Sequence, residues 1–137
     1  MKIKIKKLHE NAVIPSYAKD GDAGMDLTAV SVENLDNFGG VKYNFGLSIE
    51  IPKGYVGLMF PRSSIYKHHQ MLSNSVGVID SGYRGELSAV MRGYFGYEVG
   101  ARVAQLIILP YPEIEFEEVS ELSETERGTN GYGSTGK

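Results

Sequence analysis

Two polar segments carry residue types suited to phosphate and acid–base chemistry. Pro61-Arg62-Ser63-Ser64 follows an apolar run, and its forked cation, two hydroxyls and successive backbone N–H groups suit phosphate oxygens. The other interpretation is an N-cap, in which Ser63 or Ser64 simply begins a short helix. Asp80 ends a second apolar run at a turn, where it either bonds nearby backbone N–H groups or orients and deprotonates a water. Tyr83 stands in the same turn, as strand filling or as a flat wall against a ligand ring.

Asp26 is an acid in an apolar, strand-like segment, Ala23-Gly24-Met25-Asp26-Leu27. A buried carboxylate needs a hydrogen-bond partner or a cation. Mg²⁺ fits one interpretation, because it keeps several waters and needs only one or two protein carboxylates together with phosphates. The other interpretation is a structural hydrogen bond to the backbone. His68 and His69 do not extend this site, because adjacent side chains diverge and no third ligand stands at a familiar spacing, so we expect both at the surface.

The C-terminal segment 127–137 differs from the rest of the chain, with four glycines and one large apolar residue. So little apolar surface does not offset the entropy of ordering the segment, and we expect it to be flexible in isolation. We do not expect a P-loop here, although the segment is superficially similar to one, because it contains no Lys-Ser/Thr pair. It either folds over a ligand, with Arg127 on phosphate and Tyr132 stacked on a base, or it is a tail without a role.

Short strands would have to position these residues, because the hydrophobic period is 2 along almost the whole chain. The runs 76–79 and 87–90 flank a turn at 80–83, and we predict that they pair as a hairpin. The helical period covers at most one turn, at 63–69. Further strands are predicted at 3–5, 41–51, 55–60, 102–109 and 113–117. We therefore predict an all-β, single-domain jelly-roll-like β-sandwich or barrel over residues 1–126, followed by the flexible segment 127–137.

Composition limits the functions that remain. The chain has 137 residues, 42% hydrophobic and 23% charged, the size of one globular domain. With 14 basic and 17 acidic side chains, no global positive field would attract a nucleic acid. The absence of cysteine excludes disulfides, thiolate metal sites and a thiol nucleophile. The longest aliphatic run, 106–109, is far shorter than the roughly 20 residues that span a bilayer, and the first residues lack a signal peptide's apolar region, so we expect a cytoplasmic protein without a membrane partner.

The polar segments gain meaning from their order along the chain. Together they resemble the five ordered motifs of the trimeric dUTPases, and the resemblance covers nearly the whole chain, with a phage or prophage type among the members it resembles. It implies a β-jelly-roll subunit of a homotrimer, with active sites at the subunit interfaces, that hydrolyses dUTP to dUMP and pyrophosphate using Mg²⁺. The matching segments are Ala23-Gly24-Met25-Asp26-Leu27, Pro61-Arg62-Ser63-Ser64, Gly77-Val78-Ile79-Asp80-Ser81-Gly82-Tyr83-Arg84-Gly85-Glu86, Gly100-Ala101-Arg102-Val103-Ala104-Gln105-Leu106 and the tail from Arg127 to Gly136.

The resemblance also implies a role for each matching residue. Asp80 would activate the water that attacks the α-phosphorus, and Asp26 would anchor the waters around Mg²⁺. The segment from Asn74 to Tyr83 would hold uracil, with Tyr83 against the deoxyribose, and the tail would close over the nucleotide. The residues that would contact the substrate are Arg62, Ser63, Ser64, Asn74, Gly77, Ile79, Tyr83, Gln105, Arg127, Gly131, Tyr132, Gly133 and Ser134. Ser64 stands where the family commonly has glycine, and Tyr132 where Phe is usual.

Two rival functions share the same features. The first is a dCTP deaminase, which has the same fold, but its catalytic Glu would fall at Val90 and a later arginine at Lys67. The second is a regulatory protein of phage type that uses the dUTPase scaffold to bind a repressor or another protein. The presence of Asp80 and Asp26 favours the hydrolase.

Overall fold

The computed structural model describes residues 1–35, 39–93 and 96–131. Strands are the main regular secondary structure in this part of the chain, and the one helix described is a short 3₁₀ helix, η1 (Ser63–His68), at the place where the sequence predicts one turn. No helix of the described residues has the length and apolar character needed to cross a membrane. The strands are β1 (Lys4–Lys7), β2 (Met25–Thr28), β3 (Ser31–Leu35), β4 (Gly40–Asn44), β5 (Leu47–Glu50), β6 (Tyr55–Pro61), β7 (Gln70–Leu72), β8 (Gly77–Ile79), β9 (Ser88–Gly93) and β10 (Arg102–Pro110).

These strands form three antiparallel sheets, which confirms the predicted all-β, jelly-roll-like fold. Two sheets have four strands each, in the orders β2-β10-β6-β8 and β3-β4-β9-β7, and the third consists of β1 and β5. The described strands do not close into a barrel, so of the two predicted forms the sandwich is the one observed. Both four-stranded sheets contribute buried side chains to one hydrophobic cluster, among them Leu27 and Leu106 from one sheet and Tyr43 and Met91 from the other.

The alternating pattern explains which face of each strand is buried. In β4, Tyr43 is fully buried, and in β9 Ala89 and Met91 are buried while Val90 between them is partly exposed. Complete burial of such large side chains contributes about 1.5–3 kcal/mol each to the free energy of unfolding. The alternation of apolar and polar residues therefore favours strands and also places the apolar side chains that pack between the two sheets.

The predicted hairpin between the runs 76–79 and 87–90 is wrong. β8 pairs with β6, whereas β9 pairs with β4 and β7 in the other sheet. The segment 80–87 therefore crosses from one sheet to the other, and Leu87 at its end bonds across to Phe45 and Leu47. Apolar period and turn residues identify strands, but they do not distinguish a hairpin from such a crossing.

Two other expectations differ from the structure. His69 is exposed as expected, but His68 is half-buried and stacks on Tyr97 with ring centroids 3.8 Å apart. The described segment after Pro110 contains no strand at 113–117, and its residues are exposed, including Phe116 at 94% and Leu122 at 87%. An alternating sequence needs a neighbouring strand to become a strand, and the segment has none among the described residues.

Candidate active site

A cavity of about 430 Å³ opens beside Asp80, between the two four-stranded sheets. The structure brings more of the predicted site residues together here than anywhere else. The five that line the cavity are Asn74, Gly77, Ile79, Asp80 and Tyr83. The remaining lining residues include Leu72, Leu87 and Val90, so most of the wall is apolar, and polar groups come both from residues 73–80 and from Glu86 and Ser88. A cavity of this size with few convergent polar groups is typical of a small-molecule site.

The strand β8 fixes the position of Asp80. Ile79 is buried and lies opposite Gly57 of β6. If Gly57 carried a side chain, the Cβ of that side chain would lie only 3.1 Å from the Cβ of Ile79. The absence of a side chain at Gly57 therefore lets the two strands pack closely. After Ile79 the chain turns, with the Tyr83 N–H donating to the Asp80 carbonyl at 3.1 Å. Asp80 thus extends from the end of an anchored strand.

The turn that follows Asp80 satisfies its own polar groups. The Arg84 guanidinium donates to the carbonyl oxygens of Ser81 at 2.7 Å and Tyr83 at 2.9 Å, and the Tyr83 hydroxyl donates to the Glu86 carbonyl at 3.0 Å. The Asp80 side chain is exposed, and no described residue makes a hydrogen bond or ion pair with its carboxylate. The carboxylate is therefore free to accept a proton from a water, as a general base must.

A second group of predicted residues gathers at the other end of the same sheet. Asp26 accepts from Arg62, with Nε 2.7 Å from Oδ1 and Nη2 3.4 Å from Oδ2. The Gln105 carboxamide donates to the Pro61 carbonyl at 3.0 Å. These contacts follow from the register, because β10 lies between β2 and β6 and places Gln105 opposite both Asp26 and Phe60. One anion, one cation and one amide therefore share a surface about 25% exposed at its charged side chains, 23% for Asp26 and 27% for Arg62.

Arg102 belongs to this group, although no role was predicted for it from the sequence. Its Nη1 lies 3.1 Å from Oδ2 of Asp26, and its carbonyl accepts from Nη1 of Arg62 at 3.4 Å. The contact depends on an irregular register between β10 and β2 near Arg102 and Ala104. A bulge of this kind redirects side chains and leaves no mark on the period of hydrophobic residues. The only sequence feature that associates Arg102 with this group is its position three residues before Gln105.

The serines after Arg62 are not helix caps. The residue at the N-cap of η1 is Arg62, in an extended conformation and without a side-chain capping bond. Ser63 is exposed and Ser64 is half-buried, and neither hydroxyl makes a hydrogen bond within the described residues. The short helix does begin at Ser63, but the N-cap role is wrong, and both hydroxyls remain available to a ligand.

The two groups are too far apart to act together within one chain. Asp26 lies level with Phe60, whereas Ile79, next to Asp80, lies level with Gly57. Three strand spacings of ~4.8 Å and about four residues of ~3.3 Å separate Asp26 from Asp80, so their backbones are roughly 19 Å apart. A single triphosphate group spans only a few bond lengths and does not bridge this gap.

The described part of the tail does not line the cavity. Arg127 donates from Nε to the Asn130 carbonyl at 3.1 Å, and Gly128 donates to the Thr125 hydroxyl at 3.1 Å, so the segment forms a local turn. Gly131 is exposed at the end of this turn. Tyr132, Gly133 and Ser134 lie outside the described residues.

Comparisons with known proteins agree with this arrangement of motifs. The sequence profile of the dUTPase family matches residues 10–136. A deoxyuridine 5′-triphosphate nucleotidohydrolase from Clostridium novyi is 40% identical over 141 residues, covering 99% of each chain. The chain belongs to the dUTPase family. A second dUTPase with this name, from Crocosphaera subtropica, is 38% identical with the same coverage.

A solved dUTPase shows the same fold. The G164S mutant of the Staphylococcus bacteriophage 80alpha dUTPase, bound to dUpNHpp, superposes with a TM-score of 0.83 at 27% identity, and the match covers 99% of both chains. The resemblance found in the sequence motifs is therefore confirmed at the level of the dUTPase family and its fold.

Proposed function

We propose that this chain hydrolyses dUTP to dUMP and pyrophosphate in the cytoplasm, with Asp80 activating the water that attacks the α-phosphorus. The observation that carries the proposal is the exposed Asp80 carboxylate, without a protein partner among the described residues, at the rim of the 430 Å³ cavity. A carboxylate held there accepts the proton of a water while the nucleoside occupies the cavity. Loss of pyrophosphate from the α-phosphorus then leaves dUMP.

Recognition of uracil follows from the position of β8. This strand is at the edge of its sheet, so the backbone groups of Gly77 to Ile79 that face away from β6 have no partner strand among the described residues. An edge strand offers N–H and C=O groups to a planar ligand, and uracil presents an O4 acceptor and an N3–H donor. Cytosine presents the opposite donor at that edge and would leave buried groups unpaired, which discriminates by several orders of magnitude.

The walls of the cavity support a hydrolase over a deaminase. Val90 lines the cavity at the position where a dCTP deaminase would carry its catalytic Glu. A valine cannot move a proton, so the loss of ammonia from cytosine has no acid–base group there. Tyr83, 46% exposed and fixed through its hydroxyl, stands where it would pack on deoxyribose and crowd a 2′-hydroxyl.

The Asp26 and Arg62 group suits the phosphates. A guanidinium has five N–H donors, and three of those of Arg62 are taken by Asp26 and the Arg102 carbonyl. Two donors remain for phosphate oxygens, next to the hydroxyls of Ser63 and Ser64. Phosphoryl transfer depends mainly on such positioning and charge neutralisation.

The chemistry of the site fits Mg²⁺, which members of the dUTPase family typically use. No group of three acidic or histidine side chains that could enclose a metal is found within residues 1–35, 39–93 and 96–131. Mg²⁺ needs no such group, because it keeps most of its waters and binds phosphates. Asp26, with both oxygens already shared with arginines, would hold it through waters and not directly. When bound, the metal supplies neutralisation of the triphosphate charge.

A homotrimer would bring the two groups together. Because Asp80 and Asp26 are roughly 19 Å apart within the chain by strand geometry, a complete site needs Asp80 from one copy and the Asp26 group from another. The segment after Pro110 offers a means of association, since Ile114, Phe116 and Leu122 are largely exposed within the described residues. Contact with another copy would cover these apolar side chains.

The segment 127–137 would complete the site as a lid. Arg127 would reach the γ-phosphate, Tyr132 would stack on the base, and the backbone of Gly131, Gly133 and Ser134 would close around the nucleotide. Residues 127–130 form hydrogen bonds within their own turn and none to the other described residues of the β-domain. The segment can therefore move without disrupting the fold. Closure would exclude water late in the reaction.

One assay tests the proposed function. Purified protein with Mg²⁺ is given dUTP, dCTP, dTTP or UTP in parallel, and pyrophosphate and ammonia are measured. We expect pyrophosphate from dUTP alone. Ammonia from dCTP would show a deaminase, and no reaction with any nucleotide would favour the regulatory protein.

A further inference from the structure

Gly24, directly before β2, has no conformational reason to be glycine. Its φ lies outside the left-handed region, so any residue could adopt its backbone conformation. The reason is steric instead. A Cβ added there would meet three atoms of one side chain, the Oε1 of Gln105 at a distance no real Cβ shows, its Cδ at 3.1 Å and its Cβ at 3.4 Å.

The carboxamide of Gln105 fills the space that a side chain at position 24 would occupy. Its nitrogen donates to the Pro61 carbonyl at 3.0 Å, which identifies that end of the amide as the NH₂ group. Its oxygen lies against Gly24 on the other side. The nitrogen end of the amide is therefore held by the Pro61 carbonyl, its oxygen end occupies the space that a side chain at position 24 would need, and one of its two N–H groups is used.

The second N–H of Gln105 is free, and it belongs to the surface that also carries Asp26 and Arg62. Gln105 is half-buried and lies directly opposite Asp26 across the β2–β10 pair. Pro61, which holds its nitrogen, immediately precedes Arg62. A rotation of the amide would exchange donor for acceptor and would turn a carbonyl oxygen, not an N–H, toward an anion.

We propose that Gly24 is a positioning residue for Gln105: by leaving out a side chain it fixes the carboxamide so that its second N–H faces the triphosphate. This rests on the proposed function only for the identity of the anion. The glycine of the first motif and the glutamine of the fourth therefore form one unit, joined by contact between β2 and β10.

A double-mutant cycle of Gly24→Ala and Gln105→Ala tests the proposal. Each single variant should lower kcat/KM for dUTP about ten- to a hundredfold, the effect of one lost hydrogen bond to a charged group. The double variant should be no slower than Gln105→Ala, because Gly24 acts only through Gln105. Losses that multiply would overturn the proposal.

Stability provides a second measurement that does not depend on activity. Gly24→Ala should lower the Tm, and the double variant should recover the Tm of Gln105→Ala, because shortening Gln105 removes the two closest contacts and leaves only an ordinary 3.4 Å approach. Separate, additive losses of Tm would contradict a direct clash. If Gly24→Ala alone does not fold, recovery in the double variant still decides the question.

The matched control is Gly40→Ala, whose added Cβ would meet Met91 and Val90 atoms at 3.1 and 3.4 Å in the other sheet. The change in Tm that Gly40→Ala causes should add to the change that Gln105→Ala causes. In ¹⁵N-labelled protein, the side-chain NH₂ signal of Gln105 should shift in Gly24→Ala and not in Gly40→Ala, and inorganic tripolyphosphate should shift it in the wild type. An unmoved signal in Gly24→Ala would refute the positioning role even if the chain proved not to hydrolyse dUTP, whereas wild-type inactivity on dUTP would refute only the proposed function.

Discussion

Asp26 of β2 and Arg62, which directly follows β6, form a two-point ion pair, with Nε 2.7 Å from Oδ1 and Nη2 3.4 Å from Oδ2. Both side chains are about three-quarters buried, so water screens the pair less than it screens a surface salt bridge. The pair fixes the plane of the guanidinium and leaves its remaining donors pointing away from Asp26. A carboxylate that would anchor metal-bound waters therefore also orients the arginine that would bind phosphate.

Site sharing between copies gives the first prediction. Asp80→Asn and Arg62→Ala should each be nearly inactive on dUTP as pure proteins, because each spoils every site. When the two chains are denatured together and refolded, mixed oligomers should contain some sites with an intact Asp80 from one chain and an intact Arg62 from another. We expect dUTP hydrolysis to reappear in the mixture. A mixture as inactive as its components, despite mixed oligomers in native mass spectrometry, would show that each site uses one chain alone.

Tyr97 gives a prediction for stability. The residue is only 7% exposed, and its hydroxyl has no hydrogen-bond partner among the described residues. An unsatisfied buried hydroxyl costs about 1–3 kcal/mol, and removing it while keeping the ring is neutral or stabilising. Tyr97→Phe should therefore raise the urea midpoint at pH 7, with dUTP turnover unchanged. A lower midpoint would show that the hydroxyl has a partner.

The same residue predicts how stability changes with pH. Burial raises the pKa of Tyr97 above the usual value of about 10, the Arg62 charge lowers it in part, and Tyr43 raises it. Above pH 10 the unfolded chain loses this proton while the folded chain keeps it, so the contribution is complete below about pH 10 and declines at higher pH by up to about 1.4 kcal/mol per pH unit. Urea unfolding of the wild type between pH 9 and 11 should show a steeper decline than Tyr97→Phe. The control is Tyr17→Phe, at a residue 58% exposed, which should follow the wild type.

The tail gives a fourth prediction. Deleting residues 127–137 should lower the turnover of dUTP and leave the Tm of the body unchanged, because the bonds of residues 127–130 lie within their own turn. Steady-state kinetics and a thermal melt of the truncated chain measure the two quantities. If the truncated enzyme turned over dUTP as fast as the full chain, the proposed lid role of residues 127–137 would be wrong.

The sequence predicted single strands better than their partners. The period of 2 located most of the observed strands, including β6 and β10, because side chains of each strand alternate between the core and the opposite face. It paired β8 with β9 incorrectly, since the partner of a strand depends on contacts far away in the chain. The strand pattern at 113–117 similarly has no partner strand in the part of the chain that the structure describes.

The candidate site shows the same division. Asp80 and the residues around it are consecutive in sequence, and the structure places Asn74, Gly77, Ile79 and Tyr83 around one cavity with Asp80, as the motif implied. Arg102 was missed because its contact with Asp26 depends on an irregular register. The sequence identified Gly24 only as part of a motif. The side chain that requires a glycine there, Gln105, lies on a neighbouring strand 81 residues later.

The most direct test of the account is the turnover of dUTP by Asp80→Asn beside Asp20→Asn, which changes an exposed acid on the loop before β2. Asp80→Asn should bind dUpNHpp with nearly wild-type affinity and lose at least about a hundredfold in kcat, because general-base catalysis contributes roughly 10²–10⁴-fold. Asp20→Asn should match the wild type in both. Wild-type kcat in Asp80→Asn would contradict the claim that this carboxylate activates the water.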